Sequence, residues 1–220
     1  MKFLIFLKLV FLDFLKYLRT GPTFSEYGLT CFVGVQGAGK TIALVEYCRR
    51  MKKRFPRCVI VSNFDLSIAD HRMESWRDFF KYRNGTDGVI FAIDEIQLEF
   101  SALDWKDFPP ELLGEISQQR KQAIKIVTTS QRFMRMAKPL REQTFEVVEC
   151  FTLLGRLTFL RAFDAWDYEV HRSIGATAEK SLKKLWARSF VQDDALRSCY
   201  DSYSKVKRLQ RKEFIARGRD

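Results

Sequence analysis

The sequence predicts an α/β protein whose core is a mostly parallel β-sheet sandwiched between helices. Three observations carry this reading. Leu29–Gly34, Cys58–Ser62, Val89–Ile93 and Ile124–Thr128 are short, largely apolar runs, the pattern of strands buried on both faces. Helix-patterned stretches alternate with them, which is the order that parallel sheets need. The chain has 220 residues, 46% of them hydrophobic and 30% charged, enough for one full core with appendages and too apolar for intrinsic disorder.

Charge divides the chain into three parts. The total is +11, but residues 1–20 carry +3, residues 171–220 carry +7 and the stretch between them only +1. An anionic partner is therefore expected to meet the two ends. Residues 1–20 read as an amphipathic N-terminal helix, 24–170 as the main domain and 171–220 as a basic helical tail. The 5 cysteines form no CxxC and only 2 histidines are present, which disfavours both a disulfide framework and a zinc site. Reduced thiols in the cytoplasm are the expectation.

The elements follow in order. In Met1–Leu18 no apolar run reaches the roughly 20 residues that span a bilayer. Wound as a helix, Lys2, Lys8, Asp13, Lys16 and Arg19 fall within an arc of about 140°. Phe3, Leu4, Phe6, Leu7, Val10, Phe11, Phe14 and Leu18 occupy the rest. Such a helix suits the interface of an anionic membrane, or docks on its own domain or a neighbouring subunit. Gly21-Pro22 ends it. Thr41–Lys53 has a helical pattern with a basic last turn, as a C-terminus prefers. Met73–Tyr82 reads as a short helix closed by Asn84-Gly85, and Pro109-Pro110 opens a helix through Arg120. Thr144–Leu153 and Arg156–Phe163 flank Leu154-Gly155 and predict an antiparallel hairpin. From Ala176 onward the chain reads as helical and basic, with Lys205, Lys207, Arg208, Arg211 and Lys212 crowded together.

Between the first strand and its helix, Gly34-Val-Gln-Gly37-Ala-Gly39-Lys40-Thr41 fits G-x-x-x-x-G-K-[ST] in full. The backbone of such a loop wraps phosphates, and the helix N-terminus behind it adds positive potential. The candidate nucleotide cradle is Gly34, Gln36, Gly37, Ala38, Gly39, Lys40, Thr41 and Ile42. Lys40 would reach the β- and γ-phosphates of ATP, and the Thr41 hydroxyl would ligate Mg²⁺. The strand Val89–Ile93 ends in Asp94-Glu95. Asp94 is the expected carboxylate on the metal side, and Glu95 the base that polarises water. The fourth strand runs into Thr128-Thr129-Ser130-Gln131. If it lies between the other two motif strands, Gln131 faces the γ-phosphate. Arg120, ahead of that strand, is the candidate for stabilising transition-state charge on a neighbouring subunit's phosphate. A solvated basic helix end is its plainer alternative.

GVQGAGKT, FAIDEIQ and IKIVTTSQRF together resemble the FtsK–HerA superfamily of DNA-translocating P-loop ATPases. Within it the chain looks most like the zonular occludens toxin-like (Zot) ATPases that assemble and export filamentous phage. Asn63 after the second strand, Asp94-Glu95-x-Gln97 and the hairpin with its Gly-Arg turn share in the likeness. The resemblance spans roughly residues 28–165 and implies a P-loop NTPase (RecA/FtsK-like) fold. It further implies Mg²⁺-dependent ATP hydrolysis, catalytic roles for Lys40, Glu95, Gln131 and Arg120, and a homo-oligomeric ring. The implied partners are phage or plasmid DNA, single-stranded in this reading, and other assembly proteins. Familiar Zot-like proteins carry a transmembrane segment after the ATPase domain, and the sequence offers none. An anionic membrane surface held through residues 1–18 would replace it, placing the protein in the cytoplasm at the inner face of the host membrane. The alternatives are a DNA-packaging or conjugative-transfer ATPase of the same superfamily and a nucleotide-dependent assembly scaffold. A P-loop kinase is disfavoured by Glu95 and Gln131.

Overall fold

The computed structural model describes residues 2–98, 100, 110–174 and 182–200. An eight-stranded sheet runs through it in the order β3-β2-β4-β5-β1-β6-β7-β8. Its strands are β1 (Gly28–Val33), β2 (Val59–Ser62), β3 (His71–Arg72), β4 (Val89–Ile93), β5 (Ile124–Ser130), β6 (Thr144–Leu153), β7 (Leu157–Asp164) and β8 (Lys184–Val191). From β3 to β6 every neighbouring pair is parallel, whereas β6, β7 and β8 pair antiparallel. The sequence-based strands β1, β2, β4 and β5 are all present. Strand β5 lies between β1 and β4, as the reading of Gln131 requires.

The two sheet faces close two cores because side chains alternate along each strand. Phe32, Ile90, Ala92, Val127, Val148, Leu160 and Ala162 face helix α2 (Lys40–Arg54). Residues Ile42, Leu44, Cys48 and Met51 of that helix are buried against them. On the opposite face Leu29, Cys31, Val33, Phe91, Ile93 and Ile126 pack with Leu112, Ile116, Leu140 and Tyr168. Those four come from α4 (Pro110–Ser117), α6 (Lys138–Glu142) and α7 (Ala165–Ile174). The helix expected over Met73–Tyr82 shrinks to α3 (Asp78–Lys81). Helix α4 stops at Ser117 and α5 (Gln119–Gln122) follows it.

The hairpin forms as its sequence predicts, with Leu154 and Gly155 at φ 49° and 66°, the positive pair of a tight two-residue turn. The tail reading needs correction. Lys184–Val191 is a strand, paired along β7 from Leu157↔Val191 to Phe163↔Lys184. Basic residues suggested a solvated helix, but the period is two: Trp186, Arg188 and Phe190 alternate toward the α2 face. There the Arg188 guanidinium meets Glu46 at 3.1 Å and the Trp186 indole N–H donates to Glu146 at 2.9 Å. Among the described residues beyond Ile174, helix is kept only in α8 (Asp194–Arg197), capped by the Asp193 carboxylate, which accepts from the Leu196 N–H. The cluster Lys205–Lys212 lies outside the described residues.

Helix α1 (Lys2–Thr20) is formed, and Gly21 closes it at φ 74° with its N–H bonded to the Tyr17 carbonyl at 2.8 Å. Its apolar side chains are not covered by the body: Phe3, Leu4, Phe6, Phe11, Phe14 and Leu18 are all exposed. Ile5, Leu9 and Leu12, which fall between the charged residues, are exposed too, so apolar surface encircles the helix. Docking on its own domain is therefore not what the helix does here. No helix among the described residues is long and apolar enough to cross a membrane.

Candidate active site

The site forms where β1, β4 and β5 end side by side, with Val33 opposite Ser130 and Ile93 opposite Thr128. Gly34 leaves β1 where a Cβ would stand 2.9 Å from the Ala38 Cβ and 3.0 Å from the Cys150 carbonyl oxygen. Gly39 closes the loop at φ 87°, where a Cβ would lie 2.3 Å from the Thr152 hydroxyl. Both positions thus demand glycine. The loop folds tightly, its Ala38 N–H donating to the Val35 carbonyl at 3.1 Å. Helix α2 starts at Lys40, and its first N–H groups lack intrahelical acceptors and open upward. Lys40 is buried, with its ammonium donating to the Val35 carbonyl at 3.1 Å, so the charge already hangs over the loop. Gln36 and Gly37 are exposed at the crest, while Ala38 and Ile42 are buried beneath it.

Asp94 is the hub of the other half. Its Oδ1 accepts from the Thr41 hydroxyl at 3.0 Å and from the Thr129 hydroxyl at 2.6 Å. Asn63, just past β2, grips the Asp94 backbone on both sides. It accepts from the Asp94 N–H at 2.8 Å and donates to the Asp94 carbonyl at 3.2 Å. Glu95 follows at φ 54°, a left-handed conformation costly for a side-chain-bearing residue and concentrated at functional sites. Its N–H donates to Thr129 Oγ1 at 2.8 Å, and its carboxylate accepts from the Gln97 amide. Gln131 is exposed beyond the end of β5, its Oε1 accepting from Arg135 at 2.8 Å.

Lys40, Thr41, Asp94 and Glu95 therefore come together, with Gln131 one strand away. Arg120 does not join them. It sits on α5, ahead of the first residue of β5, with its guanidinium 5.5 Å from the Tyr27 ring centroid. A seven-residue strand is roughly 20 Å long, so Arg120 lies at the far end of the sheet from its own phosphate loop. Sequence reasoning passed over Thr129 as a site residue. Its signal was the polar Thr-Thr-Ser run that ends an otherwise apolar strand.

The donor set suits Mg²⁺. Thr41 and Asp94 offer hydroxyl and carboxylate oxygens 3.0 Å apart at a helix N-terminus, hard ligands of the kind that ion takes together with substrate phosphates. Burial pushes the nearby Cys150 thiol up to about 12, although Lys40 pulls it the other way. It is therefore a neutral packing group rather than a nucleophile.

The sequence profile of the ATPase family associated with various cellular activities (AAA) matches residues 30–153. Among solved structures the chain is similar to the N-terminal domain of zonular occludens toxin from Neisseria meningitidis. Identity there is 18% and the TM-score 0.52, over 80% of this chain and 100% of that one. It is also similar to the genome packaging NTPase B204 from Sulfolobus turreted icosahedral virus 2 in complex with ATP-gammaS. In that case identity is 12% and the TM-score 0.46, over 63% of this chain and 92% of that one. No curated protein matches the sequence.

Proposed function

The chain belongs to the AAA family of ATPases, and from that premise we propose that it is a ring-forming motor coupling ATP hydrolysis to the movement of phage or plasmid DNA. The observation that carries the chemistry is the convergence of the Thr41 and Thr129 hydroxyls on Asp94 beside the phosphate loop. In this reading the loop N–H groups and Lys40 hold the β- and γ-phosphates. Thr41 and Asp94 would hold Mg²⁺, which supplies charge neutralisation between the phosphates. Glu95 accepts the proton of the attacking water, and Gln131 orients that water from the adjacent strand. Arg120, out of reach of its own site, serves the γ-phosphate of the neighbouring subunit.

The resemblance of the three motifs to Zot-like ATPases suggests phage export and virion assembly as the setting, and the fold shared with the zonular occludens toxin domain is compatible with it. The uncovered apolar surface of α1 supports a peripheral anchor at the inner face of the host membrane. Single-stranded DNA is the proposed client, with the basic segment beyond residue 200 as one contact.

Turnover of ATP with and without single-stranded oligonucleotide tests the motor. Stimulation of several-fold, falling steeply with salt as counterions are released, is the expected result. Slow turnover indifferent to DNA would instead favour a nucleotide-dependent scaffold.

A further inference from the structure

One carbonyl of the phosphate loop is tied to the hairpin. The Thr152 hydroxyl of β6 donates to the Ala38 carbonyl at 3.0 Å, and its oxygen lies 2.9 Å from the Thr158 hydroxyl of β7. Thr158 is fully buried and accepts from the Gln192 amide nitrogen at 2.8 Å. The Gln192 amide oxygen receives the Arg197 guanidinium at 3.1 and 3.3 Å, and that guanidinium also donates to the Gly155 carbonyl in the hairpin turn.

Proton counting gives this chain one direction. Arginine only donates, so the amide oxygen of Gln192 must face Arg197 and its NH₂ must face Thr158. A hydroxyl has one proton. That of Thr152 goes to Ala38, so the shared proton between the threonines belongs to Thr158. The Gln192 amide also reaches the Thr152 oxygen directly at 3.4 Å, so the result is a run in one direction, Arg197 to Gln192 to Thr158 and Thr152 to the Ala38 carbonyl, in which each bond polarises the next.

Its end point matters because a trans peptide aims its C=O and N–H in opposite directions. With the Ala38 carbonyl drawn toward the hairpin, the Gly39 N–H is turned the other way, into the concavity of the loop. We propose that Thr152 is a positioning residue for nucleotide binding, held by Thr158, Gln192 and Arg197, and that it fixes the Ala38–Gly39 peptide so that the Gly39 N–H is ready for a phosphate oxygen. This rests on the nucleotide-site reading of the Gly34–Thr41 loop.

The experiment measures affinity for a non-hydrolysable ATP analogue by calorimetry, with KM and kcat for ATP, on the full chain. Thr152→Val keeps the shape and removes the hydroxyl. It should weaken the analogue and raise KM by roughly three- to tenfold, the worth of one hydrogen bond, with kcat within about twofold. Thr152→Ser, which keeps the hydroxyl, should restore both values. Arg197→Met, at the exposed far end, should weaken binding in the same direction, and combining it with Thr152→Val should add little. Unchanged affinity in Thr152→Val, no rescue by serine, or full additivity in the double variant would each overturn the proposal. If wild type itself does not bind the analogue, the nucleotide-site reading fails first. Binding by wild type and Thr152→Val alike would sink only the role of Thr152.

Discussion

Thr129 and Asp94 meet at 2.6 Å across neighbouring strands, the threonine hydroxyl donating to the carboxylate oxygen that Thr41 also reaches. The same Thr129 oxygen accepts the Glu95 N–H at 2.8 Å. One buried side chain thus sets the proposed metal-side carboxylate and the backbone of the proposed catalytic base together. Thr129→Val should leave the Glu95 N–H without this acceptor and Asp94 with one donor fewer. The expected cost is about 1–3 kcal/mol of stability and a loss of about tenfold or more in kcat, with serine restoring both. Denaturant titration alongside steady-state kinetics checks this. Unaltered kcat in the valine variant would show that Glu95 is aimed by something else.

Whether Arg120, at the far end of the sheet from its own phosphate loop, serves a neighbouring subunit as proposed can be tested by mixing variants. Arg120→Ala and Glu95→Gln should each be inactive alone, since arginine fingers contribute about 10³–10⁵ in rate in other P-loop enzymes. Mixed in one ring, the two should regain part of the activity at interfaces that join an intact arginine to an intact glutamate. Zero activity at every mixing ratio, with mixed rings verified, would contradict the trans role.

Alkaline pH should destabilise the protein through its buried thiols. Burial raises Cys58 to about 11 and Cys150 to about 12 from 9.0, and raises Cys31 and Cys48 further. Above pH 9 the unfolded chain releases these protons and the folded chain keeps them. The unfolded state then binds fewer protons, so stability falls as pH rises. Burial of Lys125, whose value is lowered from 10.5, acts in the opposite sense, as a single group against the four thiols and against Tyr47, Tyr168 and Tyr200, whose phenols burial also raises. Urea titrations at pH 8 and pH 10 should show the fall, and Cys48→Ala should make it shallower. An unchanged slope in that variant would remove Cys48 from the account.

The N-terminal helix gives a separate test. The intact chain should float with anionic liposomes and a chain starting at Thr23 should not. Salt should weaken flotation without abolishing it, because apolar burial contributes the larger share and each lysine only about 1 kcal/mol. Equal flotation of both chains would free the helix for a neighbouring subunit, and flotation of neither would remove the membrane from the account.

The sheet was legible where burial leaves a mark on composition. Strands β1, β2, β4 and β5 are buried along nearly their whole length and read as apolar runs, and Leu154-Gly155 marked the hairpin. Strand β3 has only His71 and Arg72, both exposed, and so carries no pattern. Strand β8 is almost wholly exposed, and its lysine and arginine masked its alternation. In the site, Lys40, Thr41, Asp94 and Glu95 were legible because a loop or strand end presents them at fixed spacing. Thr129 and Thr152 were not, since each bonds a partner 35 or 114 residues away. Only the folded sheet creates those pairings.

The most direct test of the central claim is to set nucleotide binding against hydrolysis in two single variants. Lys40→Ala removes the ammonium that hangs over the loop and should weaken ATP binding. Glu95→Gln keeps the loop, Thr41 and Asp94 intact, so it should bind ATP as wild type does while losing hydrolysis by about a hundredfold or more, the range for a general base. Equal loss of binding in both variants, or full hydrolysis in Glu95→Gln, would contradict the assignment of this site as the ATPase centre.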